Sequence, residues 1–91
     1  MYAVAYEPQK VTKELGLRIA ELRRERGVTQ EQFSVQLRST FQWVSQIEAG
    51  RNLTIYSLVK IANALDVTLA HLLIAPKATP ARRRGRPRKK S

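Results

Sequence analysis

Two glutamines four residues apart, Gln42 and Gln46, are the side chains of this sequence best suited to selective recognition. That spacing is about one helical turn, so on a helix both amides project from one face. A glutamine amide sets an acceptor beside a donor, which matches the N6 and N7 edge of adenine; it can also make a single bond to another base. Ser45 adds a hydroxyl next to Gln46. Phe41 can neither donate nor accept. Facing a groove it would meet a thymine methyl; facing inward it would pack on the preceding helix.

These residues sit in GVTQEQFSVQLRSTFQWVSQIEAG, residues 27–50, which reads as two short helices joined by a tight turn. Thr29 followed by Gln32 has capping-box spacing, with Val28 just before it. Val28, Phe33 and Leu37 fall at helical spacing, which predicts a helix from Gln30 to Leu37. Ser39 or Thr40 caps the next helix, spanning about 40–49, in which Val44 and Ile47 point one way. Gly50 is placed to close it in the left-handed conformation. An outer face of Gln and Ser rather than Glu and Lys suits base edges. Spacing alone also fits two ordinary amphipathic helices with glutamine as neutral surface.

The rest of the chain supplies a small frame. Its 91 residues allow one domain with a modest core, and the absence of cysteine removes disulfides and thiolate metal sites. No apolar run is long enough to span a bilayer, and the N-terminus lacks a signal-peptide pattern, so a cytoplasmic, nucleoid-associated location is expected, with no membrane partner. Residues 1–9 read as an arm, in which alternating Tyr2, Val4 and Tyr6 allow a short strand or disorder. A first helix starts between Pro8 and Thr12 and runs to about Arg26, burying Leu15, Ile19 and Leu22, with Gly27 as its stop. Thr54 caps a fourth helix that turns Leu58, Ile61, Ala62 and Leu65 inward. Thr68 caps a short fifth helix, Leu69 to Ile74. Residues 76–81 form a linker between Pro76 and Pro80, and 82–91 form a basic tail.

Charge is divided unevenly. Residues 1–76 hold nine basic and seven acidic residues, a net of +2, whereas residues 77–91 supply eight of the ten net positive charges. A nearly neutral domain carries a strongly cationic tail. Phosphate-cradling glycine loops, paired catalytic carboxylates and metal-ligand clusters are not found, and the lone histidine, His71, reads as a surface or interface residue. No enzyme, cofactor or metal is expected.

The ordered set Leu15-Gly16-x-Arg18-Ile19-x-x-Leu22-Arg23, Gly27-x-Thr29-Gln30-Glu31, Thr40-x-x-x-Val44-Ser45-x-Ile47-Glu48-x-Gly50 and Leu58-x-x-Ile61-Ala62-x-Ala64-Leu65-x-Val67 resembles the Cro/C1 helix-turn-helix family. The resemblance covers about residues 10–74 and implies an all-α, five-helix, lambda-repressor-like DNA-binding domain over residues 10–75. It implies that the helix holding Gln42 enters the major groove, with Phe41, Gln42, Ser45 and Gln46 toward base edges. Gln30, Thr40, Trp43, Arg51 and Asn52 correspond to positions along the phosphate backbone, with coverage of the core edge the alternative for Trp43. Arg23 and Glu48 match a pair that forms an internal salt bridge in some relatives. Where relatives carry glycine and then an aliphatic residue in the turn, this chain has Arg38 and Ser39. A left-handed arginine costs about 1 kcal/mol or more, so a reshaped turn is expected, with Arg38 free to reach a phosphate. The loop after Gly50 is about one residue shorter than in common relatives.

Family members usually bind as twofold dimers, so a homodimer is expected, reading half-sites about 10 bp apart. Leu69, Leu72, Leu73 and Ile74 exceed what a small core needs and are its expected surface; closing the monomer core is the alternative. In the tail, Arg84-Gly85-Arg86-Pro87 resembles an AT-hook. A narrow A/T minor groove attracts arginine, Gly85 permits close backbone approach, and Pro87 keeps the chain extended. A polybasic tail without sequence preference is the plainer reading. The function expected is a double-stranded DNA-binding transcription regulator, acting as a repressor. The alternatives are an antitoxin that binds a toxin partner and controls its own operon, and an architectural protein that coats DNA with little selectivity.

Overall fold

Threonine hydroxyls start four of the five helices. The computed structural model describes residues 5–77, which form α1 (Pro8–Glu25), α2 (Gln30–Gln36), α3 (Phe41–Glu48), α4 (Ile55–Leu65) and α5 (Leu69–Leu72). Thr29, Thr40, Thr54 and Thr68 precede α2 to α5 in extended backbone, and each accepts the amide N–H three residues on, at 3.0–3.1 Å. Each satisfies a donor that the helix leaves unpaired, a contribution of about 1 kcal/mol. At Thr29 the box is complete, because Gln32 accepts the Thr29 N–H at 2.9 Å. α1 starts on Pro8, which has no N–H to satisfy.

The helix ends share a second device. After α1, α2, α3 and α4 one residue turns left-handed: Gly27, Arg38, Gly50 and Asp66, with φ of 70°, 54°, 108° and 57°. That turn returns two N–H groups to carbonyls of the last helical turn, as in Gly50 to Ile47 at 3.1 Å and Arg51 to Gln46 at 3.0 Å. α2 therefore stops at Gln36, with Leu37 as its cap, and α5 stops at Leu72, two residues before the expected end.

The core gathers Ile19 and Leu22 from α1, Phe33 and Leu37, Val44 and Ile47 from α3, and Leu58, Ile61 and Leu65 from α4. Leu72 completes it from α5. That corrects the expectation for Leu72: it is fully buried within the monomer and offers nothing to a second copy, whereas Leu69, Leu73 and Ile74 remain exposed. The buried Arg18 guanidinium ties α1 to α5 by donating to the His71 carbonyl at 3.2 and 3.4 Å. The histidine thus sits at a structural joint. Residues 5–7 carry no regular structure, Tyr6 is exposed, and Tyr2 and Val4 lie outside the described residues.

One glycine fixes how closely α1 approaches α3. A Cβ added to Gly16 would lie 2.6 Å from the carbonyl oxygens of both Ile47 and Glu48. Both are backbone atoms, so a methyl group cannot be accommodated by a side-chain rotation. Gly16→Ala should therefore lower stability by about 2 kcal/mol or more, seen as a fall of roughly 10 °C in the thermal midpoint. A midpoint unchanged within about 2 °C would show that the two helices are not held this close.

Candidate nucleic-acid interface

The α2–turn–α3 unit is oriented by a carboxylate at its far end. Glu48, the last residue of α3, receives Arg23 Nε on Oε2 at 2.6 Å and a second Arg23 guanidinium N–H on Oε1 at 3.1 Å. The Gln30 amide donates to the same Oε1 at 2.9 Å. Arg23 also donates to the Val28 carbonyl at 2.8 Å. The carboxylate therefore joins α1, the start of α2 and the end of α3, and Arg23 extends the joint to the α1–α2 turn. The Arg23 and Glu48 side chains are 8% and 6% exposed. Removing one partner from such a pair costs about 3–5 kcal/mol, because the other charge stays buried alone. The expected pairing of Arg23 with Glu48 is present, and Arg23 is thereby committed to the interior.

The turn corrects one expectation. Arg38 does not reshape it; the residue takes up the left-handed conformation itself. Its N–H bonds to the Val35 carbonyl at 3.0 Å and the Ser39 N–H to the Ser34 carbonyl at 2.9 Å, the closure that glycine would give. The turn thus keeps its geometry with a residue that is sterically strained there, and the Arg38 side chain is exposed.

With Val44 and Ile47 fully buried, α3 has one orientation. Gln42, Ser45 and Gln46 are exposed together, and Phe41 is 45% exposed at the start of the same face. This face carries no charge, since Glu48 is turned to Arg23. Arg38 precedes it and Arg51 follows it, both exposed. The arrangement is a neutral donor–acceptor strip with a cation at each end, which fits a polar groove walled by anions.

The residues expected along a phosphate backbone have unequal freedom. The Gln30 amide commits one N–H to Glu48 and keeps a second. The Thr40 oxygen accepts the Trp43 N–H, and its own hydroxyl proton remains to be donated. Trp43 packs against the core edge and is half-buried. Asn52 is exposed in the turn after α3. Arg51 donates a guanidinium N–H to Gln46 Oε1, a pairing that side-chain types at this spacing did not announce. Sequence reasoning also passed over Lys13, whose Cα would lie 3.1 Å from a Cβ on Gly50, which places a basic residue of α1 beside the α3–α4 turn.

A second exposed feature lies away from α3. Leu69, Leu73 and Ile74 are 38%, 58% and 53% exposed, and Leu73 and Ile74 border a shallow apolar groove with Tyr6 and Val11. Arg84, Gly85, Arg86 and Pro87 lie outside the described residues. Among the described residues no group of His, Cys, Asp or Glu is placed to hold a metal ion, and no helix is long and apolar enough to cross a membrane.

Comparison with known proteins agrees with this geometry. The HTH_3 helix-turn-helix family model matches residues 19–72. An uncharacterised HTH-type transcriptional regulator of Sinorhizobium fredii, y4dJ, is 42% identical over 71 residues, 75% of this chain and 90% of that protein. Among solved structures, the restriction-modification controller protein C.AhdI of Aeromonas hydrophila is 31% identical, with a TM-score of 0.64, over 67% of this chain and 94% of that one. SinR, a master regulator for biofilm formation solved in complex with DNA, is 30% identical, with a TM-score of 0.60, over 65% of this chain and 97% of its own.

The strain at Arg38 can be measured. Relieving a left-handed residue recovers roughly 1–2 kcal/mol, and glycine's greater freedom in the unfolded chain takes back about 0.5–1 kcal/mol. Arg38→Gly should therefore leave stability equal or raise it, by up to about 1.5 kcal/mol in urea unfolding. A loss of stability would show that the arginine is not held in this conformation.

Proposed function

The chain belongs to the HTH_3 helix-turn-helix family of transcriptional regulators, and from that premise we propose that it represses transcription by reading a specific double-stranded DNA site with α3. This is a family of DNA-binding regulators and not an enzyme class. The observation that carries the reading is the uncharged face of Gln42, Ser45 and Gln46 between Arg38 and Arg51. SinR, a structural neighbour, was solved with DNA bound. In our reading Gln42, Ser45 and Gln46 meet base edges, and Phe41 meets a thymine methyl. Gln30, Thr40, Arg38 and Asn52 meet phosphates, with Trp43 at the border between core and backbone.

One such face covers too few base pairs to mark a site in a genome. We propose a twofold dimer built on Leu69, Leu73 and Ile74, with half-sites about 10 bp apart. The basic tail, with Arg84, Gly85, Arg86 and Pro87 at its centre, adds affinity through phosphates and A/T-rich minor groove flanking the site.

The two DNA-binding parts separate by mutation. Gln42→Ala should cost about 1–3 kcal/mol at one or two base positions and relax preference there, as read by selection from a randomised duplex library. Equal loss on every sequence would remove α3 as the reader. Truncation after Lys77 should weaken binding to specific and random duplexes alike. It should also reduce the slope of log affinity against log salt by roughly 0.9 for each phosphate that the tail neutralises. An unchanged slope would show that the tail does not engage phosphates.

A further inference from the structure

We infer that Arg51 is a positioning residue for specificity: it holds the Gln46 amide so that Gln46 presents donors to the groove and selects guanine over adenine. The inference rests on the reading of α3 as the base-contacting helix and deepens it. The backbone explains how the two residues meet. Gly50 turns left-handed, with φ 108°, and the chain folds back so that the Arg51 N–H reaches the Gln46 carbonyl at 3.0 Å. The Arg51 side chain is thereby carried alongside that of Gln46, and its guanidinium donates to Gln46 Oε1.

Chemistry fixes which end of the amide is held. A guanidinium has only donors, so its partner must be the amide oxygen and never the NH2 group. The NH2 of Gln46 is then directed away from Arg51. The paired side chains form an edge made of N–H groups. Guanine offers two acceptors in the major groove, N7 and O6. Adenine offers N7 and a donor, N6; its N6–H would have to use the second lone pair of an oxygen whose electron density the cationic guanidinium already draws on, a weaker bond than a free amide oxygen gives. Gln42 has no such partner among the described residues, and its amide keeps both functions. Both Arg51 and Gln46 are exposed, and in water their bond contributes little. Within a groove that excludes water, the same bond is stronger.

A phosphate role for Arg51 would change affinity for every sequence, whereas a positioning role changes base preference at one position. The experiment is selection by the full-length chain from a randomised double-stranded DNA library, followed by affinity measurements on the selected site. It uses wild type, Arg51→Ala, Gln46→Ala and the double variant. The base pair whose preference Gln46→Ala relaxes identifies the position in question. We expect guanine there in wild type, with a shift toward adenine of about fivefold or more in Arg51→Ala. Other positions should be unchanged, and the double variant should relax preference no further than Gln46→Ala, because Arg51 acts through Gln46. The inference is overturned if Arg51→Ala weakens binding to all sequences equally with a smaller salt slope, or if wild type selects adenine there and Arg51→Ala leaves that preference in place. If Gln46→Ala relaxes no position, Gln46 is not a base contact and the inference is overturned, whereas α3 fails as the reader only if Gln42→Ala also relaxes none, which separates the two failures.

Discussion

The polar ties that clamp the end of α3 converge on Glu48. Its carboxylate holds Arg23 of α1 and Gln30 of α2, while its backbone carbonyl lies against Gly16. A helix of eight residues is too short to be stable alone. It persists because its apolar stripe is buried and because its C-terminal end is clamped from two sides. The clamp also explains the neutrality of the outer face. The only acid of α3 is turned inward to Arg23, so the outer face of this helix presents no carboxylate.

In the function we propose, specificity and long-range attraction are separated along this chain. The strip from Phe41 to Gln46 can discriminate between bases but contributes no net charge. The two arginines at its ends are few beside the eight basic residues from Lys77 onward. Near-neutral net charge on residues 1–76 leaves local geometry to decide the fit, whereas counterion release along the tail scales with the number of phosphates met. Arg38 shows how such demands compete within the folded domain. Its left-handed backbone is a steric cost that glycine would avoid, and it places an exposed cation at the N-terminal edge of the strip.

The helices were legible because their signals are local. Thr29, Thr54 and Thr68 announce starts, Gly27 and Gly50 announce stops, and the periodicity of Ile19, Leu22, Val44 and Ile47 gives the buried faces. What was not legible depends on distance. Leu72 reads like its neighbours Leu69 and Leu73, and only the packed core shows that it is filled by this chain and not offered to a second one. Arg38 in a glycine position signalled a reshaped turn, yet the two bonds that close α2 outweigh a strain of about 1–2 kcal/mol. The bonds of Gln30 with Glu48 and of Arg51 with Gln46 join polar residues at separations that no helical or strand period marks. Sequence reasoning names such residues as candidates but does not say what already holds them.

We propose that DNA is met on the face of α3 between Arg38 and Arg51. Backbone-amide NMR of the full-length chain, titrated with its selected duplex, tests it most directly. The largest shift changes are expected at Thr40 to Gln46, at Thr29 and Gln30, and at Arg51 and Asn52, with Leu69 to Ile74 of the free and bound protein nearly superimposed. Changes concentrated along α4 and α5, with α3 unaffected, would contradict it.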